Sequence, residues 1–412
     1  MSTAEWDKLT EEQLRANGSL KWTAHEHAIG AWVAEMDYPL ASPIRQALRD
    51  YAESELFGYP PPALDAQLAA ATSDYYGRNF GWIPDPEFIA PVADVLAGLG
   101  AVLDIFLDPQ AAVVVPTPAY MPFLTYPALK NRRIIQVPML RDDSRWQMDL
   151  PGIREALRNG GGLVLLCNPH NPIGKVYTRQ ELQSLSEVVE EQGARVFSDE
   201  IHSSLIFEGT HLPYASLSLE TAAHTITATS ATKAFNMPGL KCAQLVFSAP
   251  ADLDLWRDKG FFIGHGASTP GKLATIAAYT SGDPWRRQVL GYLRDNRDLL
   301  TGLLDEHMPW VTWLPPEGTY LGWMDASALD RGERTAEFFL NQARVALVEG
   351  AQCGEGSAGF VRMNFALPRP ILVEAIKRMG QAASKAGGLW AKNRRSRRSG
   401  ESWPNRSTSG FQ

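Results

Sequence analysis

A chain of 412 residues with 45% hydrophobic, 21% charged and 10% aromatic residues can build two packed domains, which excludes disorder as its main state. A formal net charge of −7 makes the surface a poor binder of polyanions, so nucleic acid is not expected as a partner. The three cysteines, Cys167, Cys242 and Cys353, stand far apart without metal-ligand spacing; a disulfide framework or structural zinc site is not expected, and a reducing cytoplasm is.

Residues Met1 to Leu20 carry Glu5, Asp7, Lys8, Glu11, Glu12 and Arg15 without an apolar h-region, so no secretory signal is expected. Val92 to Leu107 is interrupted by Asp94 and Asp104 and stopped by Asp108, short of the roughly 20 apolar residues of a membrane span. A helix is expected there, from Val95 to Leu107. Short β-branched runs then alternate with helical patterns: Ala112 to Val115, Arg133 to Val137, Leu163 to Cys167, Ala194 to Ser198, Thr225 to Thr229 and Ala243 to Phe247. This alternation predicts an α/β domain with a largely parallel sheet. Thr178-Arg-Gln-Glu181 reads as a capping box, with Leu182, Leu185, Val188 and Val189 following at helical spacing.

From about residue 285 the texture changes. A long helix is expected over Arg286 to Glu306 and strands over Thr319 to Met324 and Gly359 to Phe365, giving a smaller α+β domain. The expected organisation is an N-terminal segment, 1–45, packing on the small domain, a large domain over 46–284, the small domain over 285–385, and a basic tail over 386–412. That tail holds Lys392, Arg394, Arg395, Arg397 and Arg398 among polar residues and is expected to be disordered.

Three motifs follow strand candidates directly, placing them at the carboxyl ends where open α/β sheets bind ligands. Asn168-Pro-His-Asn171-Pro-Ile-Gly174 forces a tight loop. Asp199-Glu-Ile-His202 sets an acid and an imidazole where both can address one bound ring. Ser230-Ala-Thr232-Lys233, with Lys241 eight residues on, offers two hydroxyls for a phosphate and a lysine whose pKa a pocket can lower enough for Schiff-base chemistry.

With these residues in this order, the sequence resembles the fold-type I pyridoxal 5′-phosphate (PLP) enzymes of the class I/II aminotransferase superfamily over about residues 20 to 385. Ala31-Trp-Val-Ala-Glu-Met-Asp-Tyr38 and Asp199-Glu-Ile-His202 are similar to its MalY/PatB-type branch, the cystathionine β-lyases or C–S lyases. The resemblance implies a mostly parallel seven-stranded sheet between helices and assigns roles. Lys233 would hold the cofactor covalently and act as the base at Cα. Asp199 would keep the pyridine nitrogen protonated. Asn171 and His202 would reach the ring's phenolic oxygen, and Tyr120 would stack on the ring. Ser230, Thr232, Lys241 and the amides of the helix beginning around Ala93 and Asp94 would hold the phosphate. The carboxylate of Asp94 is an awkward neighbour for a dianion, so N-capping or backbone contact is expected of it. Lys241 stands where many relatives carry arginine. Arg362, within Phe360-Val-Arg-Met-Asn-Phe365, would bind the substrate α-carboxylate, with Trp32 lining the substrate side. Tyr59, within Phe57-Gly-Tyr-Pro60, would reach the phosphate of a partner subunit, implying a homodimer.

The resemblance implies α,β-elimination of L-cystathionine or a related cysteine S-conjugate, with Tyr59 or Tyr120 protonating the leaving thiolate. Two alternatives stand beside it: an aminotransferase of a small amino acid, and a regulatory or binding protein that uses the same fold without turnover.

Overall fold

The computed structural model describes residues 3–55, 57–142 and 144–387; the basic tail expected from 386 falls, from residue 388, outside them. Seven strands form the central sheet: β1 (Ile89–Val92), β2 (Ala112–Thr117), β3 (Ile134–Pro138), β4 (Gly161–Cys167), β5 (Arg195–Asp199), β6 (Thr225–Thr229) and β7 (Ala243–Phe247). Their spatial order is β1-β7-β6-β5-β4-β2-β3. Strands β2 to β6 run parallel, while β7 is antiparallel to both β6 and β1. The central strands are buried on both faces because helices cover them: β4 reads as a near-continuous apolar run, and β6 is buried throughout although three of its five residues are threonine.

The six strands expected from the sequence are present, with ends differing by up to two residues. The seventh, β1, escaped notice because Ile-Ala-Pro-Val is short and holds a proline; at a sheet edge Pro91 deprives no neighbour of a hydrogen bond. Helix α1 (Val95–Ile105) follows β1 and lies on β7. Gly98 permits that approach, since a Cβ there would come within 2.8 Å of the Leu245 side chain. Thr178 and Glu181 form the expected capping box on α2 (Arg179–Glu191), whose Leu182, Leu185, Val188 and Val189 are buried.

A second sheet is antiparallel, built from β8 (Thr312–Trp313), β9 (Leu321–Asp325), β10 (Val348–Glu349) and β11 (Phe360–Asn364) in the order β8-β9-β11-β10. Two long helices, α3 (Asp283–His307) and α4 (Arg369–Ala386), pack together beside it. The early chain is tied in here: Ile29–Gly30 pairs in parallel with Val345–Ala346, and Trp6 stacks on Tyr38 with Tyr292 at its edge. Period-2 alternation along β11 sends Val361 and Met363 into the apolar core, which leaves Arg362 on the opposite face.

Candidate active site

Because β4, β5 and β6 are parallel neighbours in register, with Cys167 opposite Asp199 and Asp199 opposite Ala228, the loops after them emerge side by side. They form one wall of a cavity of about 400 Å³. Lys233, Asp199, His202, Asn171, Tyr120, Ser230, Thr232, Lys241, Ala93, Asp94, Arg362 and Trp32 all line it. Tyr59 does not: it is 98% exposed and borders a separate surface depression with Tyr51, Leu64 and Leu273.

Lys233 donates from Nζ to the carbonyl oxygen of Ala34 at 2.7 Å. Burial, reinforced by the positive charge of Arg362, lowers its pKa to about 8. The Ala34 carbonyl also accepts from the hydroxyl of buried Tyr320 at 2.9 Å. The segment carrying Ala34 is fastened on three sides. Asn364 donates to the carbonyls of Val33 and Glu35, both at 2.6 Å. Asn236 accepts from the Met36 amide at 2.8 Å and donates to the carbonyls of Met36 and Tyr38. The carboxylate of Asp37 is buried against Lys21 Nζ at 2.9 Å and Trp22 Nε1 at 2.8 Å. The Trp-Val-Ala-Glu-Met-Asp motif is thus a strap that sets the lysine's acceptor.

Asp199 ends β5 and accepts from the Ile201 amide at 3.1 Å, with the Cys167 thiol 3.8 Å from its other oxygen. Burial pushes its pKa up to about 7. The adjacent Glu200 belongs to a different environment: His211, Tyr76, Ser198 and the Tyr214 amide bind its carboxylate within the core. Of the Asp-Glu pair, one acid faces the cavity and one is structural. His202 is buried, with a pKa lowered to about 3 by burial, and is therefore neutral; its Nδ1 has no hydrogen-bond partner among the described residues.

Arg362 is 3% exposed and has no carboxylate partner among the described residues. Its Nη1 donates to Asn171 Oδ1 at 3.1 Å and its Nη2 to the Trp32 carbonyl at 3.0 Å, while Nε is unpartnered. A buried guanidinium held only by neutral acceptors is a strong receptor for an incoming carboxylate. Tyr120 is partly buried, edge-to-face with Phe123, and burial raises its pKa.

At the other end of the cavity, Asp94 N-caps α1, its Oδ1 accepting from the Ala97 amide at 2.8 Å. Its Oδ2 lies 2.8 Å from Lys241 Nζ, so the cation expected to serve a phosphate is paired with a carboxylate. Ser230 Oγ donates to the Cys242 carbonyl at 2.6 Å and lies 2.9 Å from Thr232 Oγ1. Reading the sequence missed Lys21, Asn236, Tyr320 and Asn364; Asn364 stands inside the Phe360–Phe365 motif, Asn236 three residues after Lys233 and Tyr320 in an expected strand, yet neither spacing nor composition marks any of the four.

Residues 33–379 match the aminotransferase class I and II family. The cystathionine β-lyase of Corynebacterium glutamicum is 35% identical over 369 residues, covering 89% of this chain and 97% of that one. A solved structure of a candidate PLP-dependent β-cystathionase from Corynebacterium diphtheriae has a TM-score of 0.87 at 37% identity, covering 91% of this chain and 98% of that one. The PLP-bound C–S lyase of Staphylococcus hominis has a TM-score of 0.85 at 25% identity, covering 90% and 97%.

Proposed function

This chain belongs to the aminotransferase class I and II family, and from that premise we propose that it is a PLP-dependent carbon–sulfur lyase. It cleaves L-cystathionine, or a related cysteine S-conjugate, to a thiol, pyruvate and ammonia. The observation that carries the reading is the meeting, on one cavity, of a lysine of lowered pKa, a buried carboxylate and a buried guanidinium without an acidic partner among the described residues.

These residues fit the cofactor. Asp199 forms no ion pair among the described residues and feels only a small effect from Lys233, and a protonated pyridine nitrogen is the cation that would keep it ionised. The unpartnered Nδ1 of His202 and the side chain of Asn171 suit the ring's polar edge. Ser230, Thr232, Lys241 and the first amides of α1 would hold the phosphate. Lys233 would bind the aldehyde. The bound cofactor would supply an electron sink for the pair freed at the substrate's Cα, the pair that the breaking of the Cβ–S bond consumes.

The chain's own groups do the rest. Arg362 binds the α-carboxylate through its guanidinium edge and thereby orients Cα toward Lys233. With substrate in place, Lys233 would remove the Cα proton; its lowered pKa supplies the neutral amine this needs. A tyrosine returns a proton to the departing sulfur. Tyr120 is in place on the cavity wall, and burial keeps its hydroxyl protonated. The released three-carbon fragment hydrolyses to pyruvate and ammonia.

A homodimer in which Tyr59 of a second copy reaches this cavity accounts for the near-complete exposure of Tyr59. No helix among the described residues is long and apolar enough to cross a membrane; a cytoplasmic location is our reading, supported by three buried free thiols. Incubation of the PLP-loaded enzyme with L-cystathionine and no keto acid tests the function. Pyruvate is expected to accumulate over many turnovers; strict dependence on an added keto acid would assign the chain to transamination instead.

A further inference from the structure

Lys241 sits in the phosphate cradle under constraint. Its φ of +50° is a left-handed conformation that side chains other than glycine adopt at a cost. Two contacts hold it there: its carbonyl accepts from the Ser268 amide at 3.0 Å, and its ammonium is 2.8 Å from Asp94 Oδ2. Asp94 is equally fixed, because its other oxygen caps the helix whose N-terminus faces the cavity. A cradle for a dianion therefore contains a carboxylate that already occupies Lys241, the cation at that end of the cavity among the described residues.

We propose that Asp94 is a brake on cofactor binding: it competes with the cofactor's phosphate for Lys241 and adds a fixed negative charge beside the dianion, so the cofactor is held less tightly than the rest of the cradle allows. This rests on the PLP reading above and deepens it by assigning a residue that sets cofactor exchange. The capping role separates cleanly from the charge. Asparagine caps a helix as well as aspartate does, so Asp94→Asn removes the charge and leaves the helix terminus satisfied.

The experiment measures affinity, not turnover. Cofactor-free wild type and Asp94→Asn are titrated with PLP, followed by the visible absorption band, and separately with inorganic phosphate, followed by its competition with PLP and by the melting temperature of the cofactor-free protein. Asp94→Asn is expected to bind both about tenfold more tightly at low ionic strength, the scale expected of one unit charge acting on a phosphate of roughly two negative charges across a few ångströms of partly wet protein. The gain is expected to shrink with added salt, because the two side chains are 40% and 59% exposed. In a Lys241→Met background no cation is left to compete for, so the gain from Asp94→Asn is expected to shrink to the part that the Asp94 charge exerts directly on the phosphate.

Equal or weaker binding by Asp94→Asn overturns the proposal and makes Asp94 an orienting partner of Lys241; so does a gain undiminished in the Lys241→Met background, since no competition for Lys241 would then exist. If wild type captures no PLP while phosphate still binds, the functional reading fails instead. The phosphate titration then decides the electrostatic point by itself.

Discussion

The amine of Lys233 offers a prediction with a sharp signature. With a pKa of about 8, roughly a quarter of it is neutral at pH 7.5, against about one in a thousand for a lysine at its ordinary value. The cofactor-free protein should therefore react with PLP a few hundredfold faster than an unperturbed amine of equal access. The assay follows the visible band after rapid mixing from about pH 6.5 to pH 10. Each rate is divided by that of a simple alkylamine under the same conditions, which cancels the titrations of PLP itself. Below about pH 8 both amines gain tenfold per pH unit, so the ratio is expected to be flat; above it Lys233 is already neutral and the ratio should fall tenfold per unit. Arg362→Leu removes the charge that reinforces the effect of burial and is expected to move the break to higher pH. A ratio flat to about pH 10 refutes the reasoning. The same protonation states act on folding. Between about pH 8 and 10.5 the unfolded chain holds a proton on Lys233 that the folded chain has lost, so stability of the cofactor-free protein rises with pH there. Asp199 has the opposite sign: from about pH 4 to 7 the folded chain retains a proton that the unfolded chain has released, and its contribution falls as pH rises.

Asp199→Asn is expected to lower kcat/KM for pyruvate release by about 10²–10³-fold, the usual scale for losing one electrostatic stabiliser; a loss below tenfold would remove Asp199 from its role. Lys21→Met strands the buried carboxylate of Asp37 and should cost about 3–5 kcal/mol in urea unfolding of the cofactor-free protein, most of it recovered by adding Asp37→Leu. A cost under about 1 kcal/mol would mean the pair behaves like a surface contact. Copies carrying Tyr59→Ala and copies carrying Lys233→Ala, each nearly inactive, should regain about a quarter of wild-type activity once subunits exchange, because half the dimers then hold one intact site. Exchange without recovery would show that Tyr59 is not shared.

Local chemistry made much of this chain legible. The strands β2 to β7 read as β-branched runs because both faces are covered, and α2 announced itself through Thr178 and Glu181, whose hydrogen bonds close within four residues. The same locality marked Asn168, Asp199 and Ser230: each directly follows or ends a strand, and parallel neighbours bring such positions together with no further information needed. Even the capping role of Asp94 followed from a short polar side chain placed before a helix. The direction of β7 was not legible, since a strand's composition is the same either way; it was set by the absence of a crossover helix between β6 and β7.

What folding alone decided lies between residues distant in the chain. Lys233 meets the Ala34 carbonyl 199 residues away, Tyr320 meets it across 286, Arg362 meets Trp32 across 330, and Lys241 meets Asp94 across 147. Most of these acceptors are backbone carbonyls, which every residue possesses, so no residue type advertises them. The sequence put forward Lys233, Asp199 and Arg362 as candidates through motifs that resemble a known family. Their altered proton affinities, and the carboxylate that occupies Lys241, arose only when the two sheets and the strap closed around one cavity and excluded water from it.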